Sequence, residues 1–258
     1  MLAVTFLGTG TSVGVPVILC DCRVCRSSDP RDQRYRSSIY VQTPTASWVI
    51  DTGPEFRIQA LRAQIPAVDF VLYTHAHADH VTGFDDLRRF STANGDIMPI
   101  YASEGTLQHL MQMFEYAFSG QAQFPGYVQP DPRALKASFE AGENEIVPFP
   151  VEHGKIETLG FAIRQAGRTV LGYISDCKSI SPEGMALLTG ADLVILGTPT
   201  TSNRYTHLSL SEGIAISRKL KPRKTIFTHL SHEFLHAEVD STLPETISLA
   251  YDGLHLEI

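Results

Sequence analysis

The 258-residue sequence has little that suits a membrane, a nucleic acid or an oxidising compartment. No apolar run approaches the roughly eighteen residues that a membrane-spanning helix needs. The opening Met-Leu-Ala-Val-Thr-Phe has neither the basic region nor the cleavage site of a secretory signal. Lysine and arginine number 21 against 28 aspartates and glutamates, a formal charge of −7. That balance argues against a broad phosphate-binding surface, since nucleic-acid binders carry a basic excess; a small anionic substrate held by metal ions stays compatible with it. Only four cysteines are present, and three fall in Cys20-Asp-Cys22-Arg-Val-Cys25. Disulfides inside so tight a cluster would be strained, and without a signal peptide the expected compartment is the reducing cytoplasm, where this spacing points to metal. Three thiolates need one further ligand for a tetrahedral zinc site. The loop Gly8-Thr-Gly-Thr-Ser-Val-Gly14 lacks the lysine of a phosphate-binding loop and reads as a turn that lets the backbone pass close to a site.

What the sequence does have is concentrated between Val68 and His80. Val68–Tyr73 is apolar and rich in β-formers and reads as a buried strand, and four potential ligands follow at once: His75, His77, Asp79 and His80. Ala76 and Ala78 keep the loop slim, so imidazoles two apart can converge on one ion while Asp79 and His80 face a second. Imidazole and carboxylate suit zinc, manganese or iron, and an incomplete ligand set leaves a position for water, the mark of a catalytic site rather than a closed structural one. Further candidates each come after an apolar strand: His153 after Ile146–Val151, Asp176 after Thr169–Ser175, His207 in the polar loop beyond Asp192–Leu196, and His229 after Lys224–Phe227. An α/β chain gathers such strand ends along one sheet edge.

Residues 2–7, 38–42, 47–50, 99–102, 161–164 and 248–258 read as further strands, and 54–64, 83–90 and 104–118 as helices. Ser209 and Glu212 form a capping box for a helix to about Lys219, which puts His207 just ahead of a helix N-terminus. Asp51 either orients the histidine loop through hydrogen bonds or serves as a helix N-cap before Pro54. Residues 119–138 are the least regular and either cover the active site or make a surface excursion. Cys177, His236 and His255 read as structural or solvated. With 43% hydrophobic content the chain can bury a large core; residues 1–258 read as one domain, in which a zinc ion on the cysteines would staple the irregular loop 15–36.

The His75-Ala-His77-Ala-Asp79-His80 signature resembles that of the metallo-β-lactamase fold superfamily, which implies an α/β (α+β) chain built as a four-layer αββα sandwich, with hydrolase activity. Cys20-x-Cys22-x-x-Cys25 and a second histidine, His232, three residues after His229 are similar to the PhnP-like cyclic phosphodiesterases, a family related to ribonuclease Z; the likeness runs from Leu7-Gly-Thr-Gly10 to Tyr251-Asp-Gly-Leu254. On that resemblance His75, His77 and His153 hold one divalent ion, Asp79, His80 and His229 hold a second, and Asp176 bridges them. Cys20, Cys22, Cys25 and His232 bind a structural zinc. The implied cofactors are therefore two catalytic ions, manganese or zinc, and one structural zinc. Asp79 and His207 are the catalytic side chains, with Asp51 behind the ligands, and His207 either protonates the leaving oxygen or stabilises charge developing on it. A bridging carboxylate favours phosphodiester hydrolysis. The expectation is thus a cytoplasmic phosphodiesterase in which a metal-bound hydroxide opens small cyclic phosphodiesters of the phosphoribosyl 1,2-cyclic phosphate or 2′,3′-cyclic nucleotide type. No nucleic acid or membrane partner is expected, and a homodimer is implied by the family alone. The alternatives are a ribonuclease Z-like RNA endonuclease, opposed by the acidic balance and the absence of a long Gly/Pro-rich arm; a thioester hydrolase, whose helical C-terminal domain has no counterpart here; and a carrier in cofactor biosynthesis like the PqqB branch, opposed by the intact histidine set.

Overall fold

The computed structural model describes residues 1–93, 95, 97–119 and 127–258. Its strands in chain order are β1 (Ala3–Gly8), β2 (Ser38–Gln42), β3 (Ser47–Ile50), β4 (Phe70–Leu72), β5 (Met98–Ala102), β6 (Pro130–Ala134), β7 (Phe139–Ala141), β8 (Asn144–His153), β9 (Ile156–Gln165), β10 (Arg168–Ile174), β11 (Ser179–Ile180), β12 (Leu193–Gly197), β13 (Lys224–Thr228), β14 (Ile247–Leu249) and β15 (His255–Glu257). The helices are α1 (Phe56–Arg62), α2 (Ala78–Val81), α3 (Arg88–Ala93), α4 (Glu104–Met113), α5 (Glu115–Phe118), α6 (Pro182–Leu188), α7 (Leu210–Leu220) and α8 (His236–Asp240). One sheet runs β15-β1-β2-β3-β4-β5-β6; the other runs β11-β8-β9-β10-β12-β13-β14, with β7 on β8. Both begin antiparallel and turn parallel, at β3–β4 in the first and β10–β12 in the second.

Side-chain alternation along the strands explains why these two sheets face each other. In β3, Trp48 and Ile50 point into the core between the sheets, while Val49 points out toward the helices. Phe70 and Leu72 against Val71 repeat that pattern in β4, and Leu193 and Ile195 against Val194 and Leu196 repeat it in β12. Strands apolar on both faces must be covered on both. Phe56, Phe84, Leu107 and Leu110 cover the outside of the first sheet, and Leu188 and Leu220 that of the second. The result is the four-layer αββα sandwich.

Three segments depart from the sequence reading. The helix expected over 104–118 breaks at Phe114 (φ −120°, ψ 40°), whose ring stacks on Phe84 with centroids 4.6 Å apart. The strand expected over 248–258 is two strands in different sheets: β14 pairs with β13 and β15 with β1, and the turn between them has Gly253 at φ +93°. The stretch 119–138, read as either a cover for the active site or a surface excursion, contains β6, which extends the first sheet beside β5; its residues 120–126 lie outside the described residues. Among the described residues no helix is long and apolar enough to cross a membrane.

Candidate metal centre

The chemistry-bearing residues gather at one end of the sandwich, and they come from both sheets rather than from one sheet edge. His75 lies just beyond β4, His77 precedes α2, and Asp79 and His80 sit on α2. From the other sheet come His153, the last residue of β8, Asp176 beyond β10, and His229 directly after β13. His207 lies in the loop before α7, whose capping box of Ser209 and Glu212 forms as the sequence predicts. His75 Nε2 is 2.8 Å from His77 Nδ1, which is 3.4 Å from His153 Nε2. His80 Nε2 is 3.2 Å from both Asp79 Oδ2 and Asp176 Oδ2, and the other oxygen of Asp176 is 3.1 Å from His229 Nε2 and 3.5 Å from His207 Nδ1.

The outer partners of these rings fix which nitrogen carries the proton. The Thr206 carbonyl accepts from His153 Nδ1 (3.0 Å) and the Asp51 carboxylate from His80 Nδ1 (2.7 Å). Thr74 Oγ1 gives its proton to Asp51, so it accepts from His75 Nδ1 (2.9 Å); Ser37 Oγ gives its proton to the Gly10 carbonyl, so it accepts from His229 Nδ1 (3.0 Å). Four imidazoles are thereby held with Nε2 aimed into the same space as two carboxylates. Among the described residues the buried atoms His80 Nε2, Asp176 Oδ2 and His207 Nδ1 have no hydrogen-bond partner, whereas buried polar atoms are nearly always paired. Converging lone pairs and carboxylates with orphaned atoms among them fit divalent cations.

The electrostatics agree. Burial pushes His75 well below its ordinary pKa and lowers His77 and His229 too, so these rings are neutral and able to donate a lone pair. Burial acts the same way on His80, but the carboxylates of Asp51 and Asp176 outweigh it and hold it well above its ordinary value. Burial would raise Asp176, yet the His229 and His80 rings outweigh that and keep it well below the usual carboxylate range. The centre draws positive charge.

Asp51 orients the histidine loop: besides His80 it accepts from the Thr74 backbone N–H and Thr74 Oγ1, each at 2.8 Å. It adopts φ +63°, and His229 adopts φ +56°, left-handed conformations that cost non-glycine residues on the order of 1 kcal/mol or more and cluster at functional sites. Its helix N-cap reading does not hold, because α1 begins at Phe56 behind Glu55. Sequence reasoning missed Ser37 and Thr74. Thr74 adjoins His75 and was findable from that; Ser37 carried no signal.

A pocket of about 250 Å³ opens over the centre, lined by His77, Asp79, His153, Asp176, His207 and His229 together with Ser12, Lys155 and Ile156. A second cluster lies apart from it. His232 Nδ1 is 3.2, 3.6 and 3.7 Å from the sulfurs of Cys20, Cys22 and Cys25. Tetrahedral zinc, with Zn–S near 2.3 Å and Zn–N near 2.0 Å, sets S···N separations of about 3.5 Å, so the four residues fit one zinc ion. The Cys25 N–H holds the Cys22 thiol down at about 6, favouring the thiolate that a metal binds. Burial pushes Cys25 up to about 11.

An αββα sandwich with a histidine and carboxylate centre at one end defines the class of metallo-β-lactamase-fold hydrolases. The model of the β-lactamase superfamily domain matches residues 47–230, and the chain belongs to that superfamily. Within it the likeness is to the PhnP family: a solved diphosphatase of that family superposes with a TM-score of 0.91 at 38% identity, covering 100% of this chain and 98% of that one. A ribonuclease Z of Bradyrhizobium diazoefficiens is 31% identical over 299 residues, 93% of each chain. An octanoyltransferase of Porphyromonas gingivalis is 33% identical over 258 residues, 96% of this chain, and the chain spans half of that protein's length. Zinc-bound PqqB from Methylobacterium extorquens shares the fold, with a TM-score of 0.79 at 21% identity, covering 99% of this chain and 100% of that one.

Proposed function

We propose that the protein is a dinuclear metal-dependent phosphodiesterase that opens small cyclic phosphodiesters in the cytoplasm. The observation that carries this reading is Asp176, whose two oxygens face His80 on one side and His229 and His207 on the other. A carboxylate shared in this way suits two ions. His75, His77 and His153 would hold one ion and Asp79, His80 and His229 the other, with Asp176 between them and Cys20, Cys22, Cys25 and His232 around a structural zinc. Two such ions polarise a phosphoryl oxygen and lower the pKa of a bound water, which suits displacement at phosphorus. The 38% identical diphosphatase and the 31% identical ribonuclease Z support phosphoric chemistry.

The remaining residues bind and orient. Asp51, Thr74, Ser37 and the Thr206 carbonyl orient the His80, His75, His229 and His153 imidazoles with Nε2 toward the centre. Lys155 at the pocket wall offers a cation to an anionic substrate. Burial holds His207 down at about 4, so at neutral pH it is an uncharged imidazole. Of its two expected roles this favours the second: its N–H stabilises charge on the departing oxygen. The small pocket and the charge of −7 favour a small substrate over RNA.

A second reading, cleavage of a diphosphate, is favoured by the similarity to the diphosphatase. Turnover of a 2′,3′-cyclic nucleotide, a nucleoside diphosphate and an RNA by the metal-loaded protein separates the readings. The proposal expects the cyclic nucleotide to be hydrolysed fastest. Preference for the diphosphate overturns it in favour of the second reading. RNA cleavage abolished by about 200 mM salt identifies an endonuclease, since counterion release weakens nucleic-acid binding steeply.

A further inference from the structure

The His207 ring packs against His153, with centroids 4.7 Å apart, and stacks on His229 at 5.5 Å, but among the described residues its side chain has no hydrogen bond to fix it. Its Nδ1 lies 3.5 Å from Asp176 Oδ1 without a hydrogen bond, so its place over the pocket depends on that ring packing and on where its backbone is held. That backbone is held from the segment carrying Asp176. The Lys178 ammonium contacts Asn203 Oδ1 at 2.6 Å, Glu212 Oε1 at 2.7 Å and the His207 carbonyl oxygen at 3.4 Å. An ammonium has three N–H donors, and here each has an acceptor. Glu212 also closes the capping box on Ser209, two residues beyond His207. The neighbouring Cys177 carbonyl accepts from the Leu208 N–H at 2.9 Å. The side chain of Lys178 is only 22% exposed.

We propose that Lys178 is a positioning residue for His207. It ties the loop before His207, through Asn203, and the helix after it, through Glu212, to the strand end that presents Asp176. With all three donors engaged, Lys178 does not itself reach the substrate; its effect passes through the placement of the imidazole. The inference rests on the role given to His207 in the proposed function, so its test carries one readout that does not depend on turnover.

The experiment compares wild type, Lys178→Met, Lys178→Arg, His207→Ala and the Lys178→Met/His207→Ala double variant, all metal-loaded. Amide hydrogen exchange is followed over residues 199–208, and kcat and KM are measured on a 2′,3′-cyclic nucleotide. In Lys178→Met the 199–208 peptide should exchange faster with metal content unchanged, and kcat should fall roughly 10- to 100-fold, the cost of an ångström-scale misplacement, with KM little altered. Lys178→Arg should restore part of the loss, and in the His207→Ala background Lys178→Met should cost nothing further. Unchanged exchange in Lys178→Met overturns the proposal, as does an equal loss of kcat in the His207→Ala background. Wild-type kcat in His207→Ala refutes instead the role given to His207, and the exchange result then decides the anchoring on its own.

Discussion

Replacing Asp51 with asparagine removes a charge 2.7 Å from a ring nitrogen of His80 without changing the shape of the site. Asparagine tolerates the left-handed backbone at φ +63°, so the substitution isolates the side-chain chemistry. Its carbonyl oxygen can still accept from the Thr74 N–H, but its amide then faces Thr74 Oγ1 and His80 Nδ1, both held by a carboxylate oxygen in the wild type. Two N–H groups cannot face each other, so His80 must shift its proton to Nε2, the atom that points into the centre. Partners of this outer kind are worth 10- to 100-fold in metal affinity, about 1.4–2.7 kcal/mol. Competition of wild type and Asp51→Asn against a graded chelator, read by metal content, measures the change directly. The reasoning expects weaker binding at the histidine centre, with zinc at the cysteine cluster retained. Metal affinity indistinguishable from wild type would refute the tautomer argument.

Three further outcomes are expected. Burial raises the Asp252 pKa to about 7, above the value near 3.9 of an unfolded chain; the folded state therefore holds the extra proton, and this group's contribution to stability is full below about pH 4 and is lost as pH rises toward 7. Denaturant unfolding of Asp252→Asn against wild type should show wild type losing ground across that window, and parallel pH profiles would contradict it. Cys22→Ser removes one of four residues that fit a zinc ion and should cost at least about 2 kcal/mol, a drop of roughly 4–8 °C in the thermal midpoint for a chain of this size; an unchanged midpoint would argue against a zinc staple. A Cβ at Gly197 would lie 1.6 Å from the Ser175 carbonyl and 3.4 Å from His229 Cβ, so Gly197→Ala should destabilise by at least the ~1–3 kcal/mol typical of overpacking and displace the strand end that carries Asp176, which calorimetry with metal titration would report.

The inner ligand positions were legible because metal chemistry limits which residues can serve and the strand pattern says where they emerge. His75, His77, Asp79 and His80 stand together in sequence, and His153, Asp176 and His229 each close an apolar strand. The sandwich was legible only through the resemblance carried by the His75–His80 signature; strands apolar on both faces, such as Trp48–Ile50 and Leu193–Leu196, need a layer on each side and agree with it. The local pattern does not say which sheet a strand joins. Residues 248–258 read as one strand because the Asp252-Gly253 turn signal was passed over, and that turn moves the chain from the second sheet to the first. Ser37 and Lys178 were invisible because serine and lysine are common on surfaces and gain meaning only when His229 and His207 are brought beside them. The break at Phe114 follows from tertiary packing on Phe84, which the helical spacing around it does not encode.

The most direct test of the dinuclear phosphodiesterase is metal content by mass spectrometry together with turnover of a 2′,3′-cyclic nucleotide, before chelation, after chelation, and after manganese is returned. The account predicts three ions per chain, one zinc that resists the chelator, and hydrolysis that vanishes on chelation and returns with manganese. Hydrolysis that survives complete removal of the two labile ions, or a fully loaded protein inert toward every phosphodiester, would contradict it.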